Sequence, residues 1–312
     1  MWKQTVSNRF SEKSGTYDQH ALVQKEMAEE LLSHVQAVVE PKQIRQLLEI
    51  GCGTGELTRL LCRSFPDANC QALDLALGML EEARRKLREE NLSCTFLHAD
   101  VEEWVWRQEA DSLDAVVSGA CFQWLSQPGV TLKGLAGLLK PGGHLLFSTF
   151  GPETFAELHA SFGYAHASLG QPAVRHGLTF HSATEWRSML AAAGFEDVGI
   201  FSRKVVLNYP GVRDFLHAVK AVGASATQGQ SPGLGSKRLL LAMIECYERA
   251  FGTSEGIPAT YDLLYIRARS GRNSGEKHGM IGRLANLINS GECIEYGSKR
   301  NRHCQCRSHC DW

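Results

Sequence analysis

Gly51, Gly53 and Gly55 stand at alternate positions in LLEIGCGTGELT, residues 47–58, straight after an apolar run. Glycines so placed suit a sharp turn that lets a ligand approach the backbone. Glu49 lies just before them, and a carboxylate there would repel a pyrophosphate but attract an ammonium group. Asp74 follows about twenty residues past the loop, where an acid accepts ribose hydroxyls. Asp100 ends the next apolar run, in LHAD, with the N–H of Val101 beside it. An acid and an N–H together can read the amine edge of a base. A lone strand-end Asp is commonly a helix cap. Three acids at successive strand ends point instead to one ligand that carries a nucleoside and a cationic amine.

The elements that must position these residues alternate. Apolar runs at 46–51, 68–75, 94–99, 113–118 and 144–150 read as buried strands, and helical spacing appears at 56–65, 77–90 and 129–139. This alternation predicts an α/β fold, a parallel sheet with helices on both faces. Ligands of such sheets sit at the carboxyl ends of the strands, and the helix after the glycine loop would point its free N–H groups there. KPGG, residues 140–143, is a turn into the fifth strand. Helical spacing also covers 17–39, with Pro41 as its stop. After Phe150 the rhythm changes: two helices are expected within 151–195, a strand near 198–207, two further helices, and a strand near 260–267. From about residue 270 the chain is polar, basic and glycine-bearing and reads as a disordered tail.

The 312 residues, with 43% hydrophobic and 21% charged, describe an ordinary globular chain. A formal net charge of -1 gives no global field for nucleic acid or membrane. No apolar run is long enough to span a bilayer, and the N-terminus lacks the apolar segment of a secretory signal. A cytoplasmic monomer with reduced thiols is the expectation. Cys293, Cys304, Cys306 and Cys310 with His303 and His309 match no usual zinc spacing, so no metal site is expected. A nicotinamide dehydrogenase is disfavoured, because Glu56 stands where the third glycine of G-x-G-x-x-G would fall.

LLEIGCGTGELT, ALDLALGML, LHAD, LDAVVSGACFQWL and LLKPGGHLLFSTFG together resemble a class I S-adenosylmethionine-dependent methyltransferase, closely over 47–150 and more loosely to 269. The resemblance implies a Rossmann-like, mostly parallel seven-stranded sheet that ends in an antiparallel hairpin. It also implies a helical acceptor lid built from about 1–40 and 151–195. It places Glu49 at the methionine amine, Gly51, Gly53 and Gly55 beneath the methionine part, Asp74 at the ribose, and Asp100 with Val101 at the adenine. Leu75, Met79 and Ser118 complete the cofactor set, with Met79 read either as packing on the adenine or as core.

RFSEKSGTYDQHALVQ, GACFQWLSQP and LLFSTFGPETFAELHASF narrow the resemblance to the malonyl-[acyl-carrier protein] O-methyltransferases of biotin synthesis. This implies esterification of the free carboxyl of a malonyl thioester on the carrier protein or on CoA. A carboxylate is ionised at neutral pH, so no general base is named. Tyr17, His20, Phe122, Gln123 and Trp124 are candidates for the pocket lid and wall, with core packing as the alternative for Phe122 and Trp124. Arg175, with Arg203 in reserve, is the candidate to hold the free carboxylate. ARRKLREE at 83–90, SRK at 202–204 and SKR at 236–238 are rival docking patches for the strongly acidic carrier. The competing functions are methylation of another small acid of the aconitate type, or cofactor binding without turnover.

Overall fold

The computed structural model describes residues 2–223 and 237–271. Within them the strands are β1 (Gln46–Ile50), β2 (Asn69–Asp74), β3 (Thr95–His98), β4 (Leu113–Ser118), β5 (Leu139–Phe150), β6 (Phe195–Tyr209) and β7 (Ile257–Ser270). They form one sheet in the order β3-β2-β1-β4-β5-β7-β6. The first five strands pair parallel, and β7 runs antiparallel between β5 and β6. The helices are α1 (Trp2–His20), α2 (Leu22–Gln36), α3 (Glu56–Ser64), α4 (Leu77–Glu89), α5 (Val101–Trp104), α6 (Pro128–Leu138), α7 (Ala156–Ser168), α8 (Ala183–Ala192), α9 (Val212–Ala221) and α10 (Lys237–Phe251).

The strands carry apolar residues at successive positions because both faces are covered. Leu47, Ala115, Val117 and Leu146 face one core with residues of α2, α3, α7, α9 and α10. Their neighbours Leu48, Val116, Leu145 and Phe147 face a second core with residues of α6 and α8. A side-chain period of two delivers alternate residues to opposite faces. Each fully buried Leu of this set contributes about 1.5–3 kcal/mol.

Each expected strand overlaps an observed one. Several details differ. The helical pattern of 17–39 is split: α1 runs from Trp2 through Tyr17 to His20, Ala21 breaks the line, and α2 follows. KPGG lies inside β5, where the pairing with β4 shifts register between Leu113 and Ala115. The antiparallel pair β6 and β7 is joined through α9 and α10 rather than by a tight turn. The lid expected from 151–195 is only partly over the site. In α8, Trp186 and Leu190 are buried in the second core against Phe147. The tail and its Cys/His cluster lie outside the described residues beyond 271.

Gly55 precedes α3 with φ +86°, and a Cβ there would lie 2.9 Å from the Ala83 Cβ on α4. The residue serves close packing of loop on helix as well as the left-handed turn. Gly55→Ala is expected to cost about 1–3 kcal/mol, from the left-handed conformation and the displaced neighbour. Denaturant unfolding of the variant against the wild type measures it.

Candidate active site

The carboxyl ends of β1, β2 and β3 form the floor of a cavity of about 860 Å³. The glycine loop leaves β1 tied to its neighbour: the N–H groups of Gly51 and Cys52 both donate to Leu73 O, at 2.7 and 3.1 Å. Gly51 has φ +70°, and the side chain of Cys121 occupies the place a Cβ would need. A side chain here would be both strained and blocked.

Asp74 ends β2 and holds the loop from the other side. Its Oδ2 accepts from Gly53 N and its Oδ1 from Ala76 N, each at 2.8 Å. Burial nevertheless keeps its carboxyl above the usual range, opposed by those same N–H groups. Glu49 is 2% exposed on the face of β1 that carries Leu47. Its Oε2 is buried without a hydrogen-bond partner. Burial, with the charge of Asp74 adding to it, pushes the Glu49 carboxyl up to about 8. Thr58 opposes that rise from one side. A buried carboxyl with one unpartnered oxygen beside a glycine cradle is an arrangement that a cationic group would satisfy.

Asp100 caps α5, with Oδ1 accepting from Glu102 N at 3.0 Å. Its other oxygen pairs with Lys3 of α1, which also reaches Glu102 at 2.6 Å. At the far end of α1, Asp18 accepts from Thr54 Oγ1 at 2.6 Å and pairs with Lys86. Between these ends Ser7 Oγ donates to Leu75 O at 2.9 Å. α1 therefore lies across the ends of β2 and β3, pinned to the glycine loop, to α4 and to the α5 cap. Phe10 of α1 meets Trp124 edge-on at 5.4 Å and Tyr17 at 6.3 Å, and Trp2 lies 6.1 Å from Trp124.

The expected site residues divide. Tyr17, His20, Gln123, Trp124, Gly51, Gly53, Asp74, Leu75, Met79, Asp100 and Val101 line the cavity. Burial, then the charge of Asp74, pushes the Tyr17 hydroxyl up, so it stays protonated. Gln123 is committed on both sides, donating to Ala120 O at 2.6 Å and accepting from Thr149 at 3.0 Å.

Glu49, Phe122, Ser118, Gly55 and Arg175 are not in the wall. Phe122 is 1% exposed and stacks on Phe147 at 4.4 Å, because the short helical turn at 122–124 sends its neighbours to the cavity and itself to the core. Ser118 is buried and donates to Ile50 O at 2.8 Å, joining β4 to β1. Arg175 is exposed, while the next residue, His176, is buried. Arg203, the reserve, is held by Glu26 and Glu30 of α2 at 2.7 and 2.6 Å.

The half of the cavity away from the acids is aromatic. Phe150, Phe155, Phe162 and Phe180 line it with the hydroxyl pair of Tyr209 and Tyr261, 2.9 Å apart. His159 and His176 also line it. His176 stacks on Phe162 at 3.9 Å and is held by His166 at 3.0 Å. Burial, then the charges of Arg175 and His176, pushes His159 down to about 4. Burial, then His166, lowers His176 as well. Sequence reasoning missed Lys3, Phe10, His159, His176, Tyr209 and Tyr261. The seven-residue spacing of Phe10 and Tyr17 was a usable signal for a helix face; the others are assembled only by the fold.

The acids Asp74 and Asp100 and the glycine cradle in the wall, with the unpartnered Glu49 oxygen buried beside them, suit S-adenosylmethionine, which carries a nucleoside and a cationic amine. A family model described as a methyltransferase domain matches residues 47–143. The YcgJ protein of Bacillus subtilis superimposes with a TM-score of 0.55 over 78% of this chain and 100% of its own, at 17% identity, a likeness of fold. The malonyl-[acyl-carrier protein] O-methyltransferase of Brevibacillus brevis is 53% identical over 272 residues, 87% of this chain and 98% of the relative. That of a Paenibacillus species is 39% identical over 85% of this chain and 98% of its own length. With this fold, these acids at the strand ends and relatives matched over nearly their whole length, the chain belongs to the malonyl-[acyl-carrier protein] O-methyltransferase family of class I methyltransferases.

Proposed function

We propose that the protein transfers a methyl group from S-adenosylmethionine to the free carboxylate of a malonyl thioester carried on acyl-carrier protein. The identity of 53% with a relative of that name, over almost all of its length, carries the reading. The sulfonium of the bound cofactor supplies an already activated methyl group.

The chain's own residues then bind, orient and exclude water. Glu49 takes the cofactor amine, Gly51 and Gly53 leave room for the methionine part, Asp74 takes the ribose hydroxyls, and Asp100 with Val101 N–H takes the adenine edge. The adenine amine would share Asp100 with Lys3, whose second partner Glu102 keeps that cation paired. Phe10, Tyr17 and Trp124 cover the reacting centre and keep water from it. The attacking oxygen is a carboxylate, so no side chain has to take a proton. Alignment of oxygen, methyl carbon and sulfur is the main task of the site.

Among the polar groups of the wall at the acceptor end are His159, His176 and the Tyr209–Tyr261 pair, with His217 and Lys220 at the rim. Burial holds the His159 and His176 imidazoles neutral near pH 7. A neutral donor can orient a carboxylate without cancelling the charge that makes it a nucleophile; a full ion pair would stabilise the ground state.

Methyl transfer from labelled S-adenosylmethionine tests the reading, with malonyl-carrier protein, malonyl-CoA and trans-aconitate side by side. The malonyl thioesters are expected to be methylated and aconitate not; the reverse order would overturn it. Arg175→Ala is expected to change kcat/KM for the malonyl thioester by less than about threefold, because an exposed charge outside the wall contributes under about 1 kcal/mol. Steady-state kinetics at subsaturating substrate checks this.

Glu49 gives a pH-dependent test. Its carboxyl lies at about 8 in the free fold and in the ordinary carboxylate range when unfolded. Its burial therefore costs nothing at pH 4, and the cost grows as pH rises toward 8, by up to about 1.4 kcal/mol per pH unit. Glu49→Gln should gain stability relative to the wild type over that window. Pairing with the ligand amine should drive the proton off, so binding of S-adenosylhomocysteine near pH 6.5 should release up to one proton. Calorimetry in buffers of different ionisation enthalpy reads that release, and it should vanish in Glu49→Gln.

A further inference from the structure

Two elements meet at the rim of the cavity, where the His20 and His217 rings lie edge-on 6.5 Å apart. Gln19, His20 and Leu22, at the junction of α1 and α2, are exposed and also line it; so are His217 and Lys220 of α9 on the opposite lip. In α9, Arg213, His217 and Lys220 are spaced i, i+4, i+7 and are all exposed, which places them on one helix face. The other face is anchored. Val212 and Phe215 are fully buried, and the Phe215 ring packs against Phe155 and Tyr209 at 5.1 and 5.3 Å. The stripe is thus fixed in place beside the opening.

The stripe reaches the cavity, which no residue of the rival patches lines. In the 83–90 stretch Arg85 is paired with Glu82 and Glu89 and Lys86 with Asp18, while Arg84 and Arg88, like Lys237 and Arg238 of the 236–238 stretch, make no ion pair among the described residues but lie outside the cavity wall. In the 202–204 stretch Arg203 is paired with Glu26 and Glu30, and Lys204 with Glu153. Among the described residues, Arg213 and Lys220 make no ion pair. Asp214, the one acid of α9, lies in the first turn, where the helix dipole favours it. Its Oδ2 is turned back to 3.4 Å from the place of a Gly211 Cβ. Across the opening, Leu22 is 63% exposed, the highest value for a large hydrophobic among the described residues. A cationic stripe facing a single exposed apolar residue is complementary to a helix that is acidic with an apolar spot.

We propose that the Arg213–His217–Lys220 face of α9, with Leu22 opposite, is the surface on which an acidic helix of the carrier protein docks. This deepens the reading of the substrate as malonyl on a carrier and rests on it. Docking there places the root of the thioester arm at the opening, so the arm runs directly into the aromatic half of the cavity. The cations guide encounter and are screened by salt. Leu22 gives the contact its desolvated centre.

The test is charge reversal outside the cavity wall, Arg213→Glu, which also cancels the charge of Lys220 beside it, assayed on malonyl-carrier protein and on malonyl-pantetheine, which has the arm but neither the protein nor phosphates. At low salt the variant should raise KM for the carrier substrate at least about fivefold, with kcat little changed. Its kcat/KM for malonyl-pantetheine and its affinity for S-adenosylhomocysteine should stay within about twofold. The wild-type KM for the carrier should rise with salt, and that of the variant should not. An unchanged carrier KM, or an equal loss on both substrates, overturns the docking surface while leaving the methyl transfer intact. A wild-type protein that methylates neither thioester overturns the substrate reading and the surface with it.

Discussion

The carboxylate of Asp74, accepting from Gly53 N and Ala76 N, is the interaction on which the site depends. It joins the loop after β1 to the end of β2 and gives the two segments one shared anchor. Gly51 and Cys52 add their own N–H groups to Leu73 O, so the loop is fastened to β2 through backbone and side chain alike. A buried acid is costly, and two backbone donors are what make this one tolerable. The sheet order then does the rest. Because β3, β2 and β1 are neighbours, Asp100 and Asp74 come to lie side by side in the floor, with Glu49 buried next to them on β1.

The cavity is electrostatically divided. Its cofactor half carries Asp74 and Asp100, and burial raises both Asp74 and the adjacent Glu49. Its acceptor half is built from aromatic rings and imidazoles kept neutral. Such a division suits a positively charged donor at one end and a negatively charged acceptor brought in at the other. α1 roofs the cofactor half, and its polar composition follows from its attachments. Lys3, Ser7 and Asp18 are all spent on bonds to the strand ends and α4.

The cofactor floor was legible because its signals are local. A glycine loop after an apolar run, and acids at the ends of the next two, stand within about fifty residues of one another and share one strand–helix rhythm. The roof was not. α1 buries only Val6, so it lacks the apolar stripe that marks a helix, and tertiary bonds rather than amphipathicity hold it. Phe122 could not be told from Trp124, since a single short turn separates a core ring from a wall ring. Arg203 looked free in the sequence because its partner Glu26 lies 177 residues away. Arg175 looked like a carboxylate binder because polarity alone does not say which residue of a loop turns inward; here it is His176 that does.

The position of β7 has a consequence for how the chain is made. β5 is flanked on one side by β4, its near neighbour in sequence, and on the other by β7, which is translated far later; Thr154 and Asp262, bonded at this seam, are 108 residues apart. Until Ile257–Ser270 has left the ribosome, β5 has an open hydrogen-bonding edge made of largely buried residues. Such an edge is a template for intermolecular pairing. The nascent chain therefore passes through a stage in which the parallel half of the sheet can be complete while its seam is bare. Synthesis that pauses in α9 or α10 would prolong that aggregation-prone stage, whereas a pause after β7 would not.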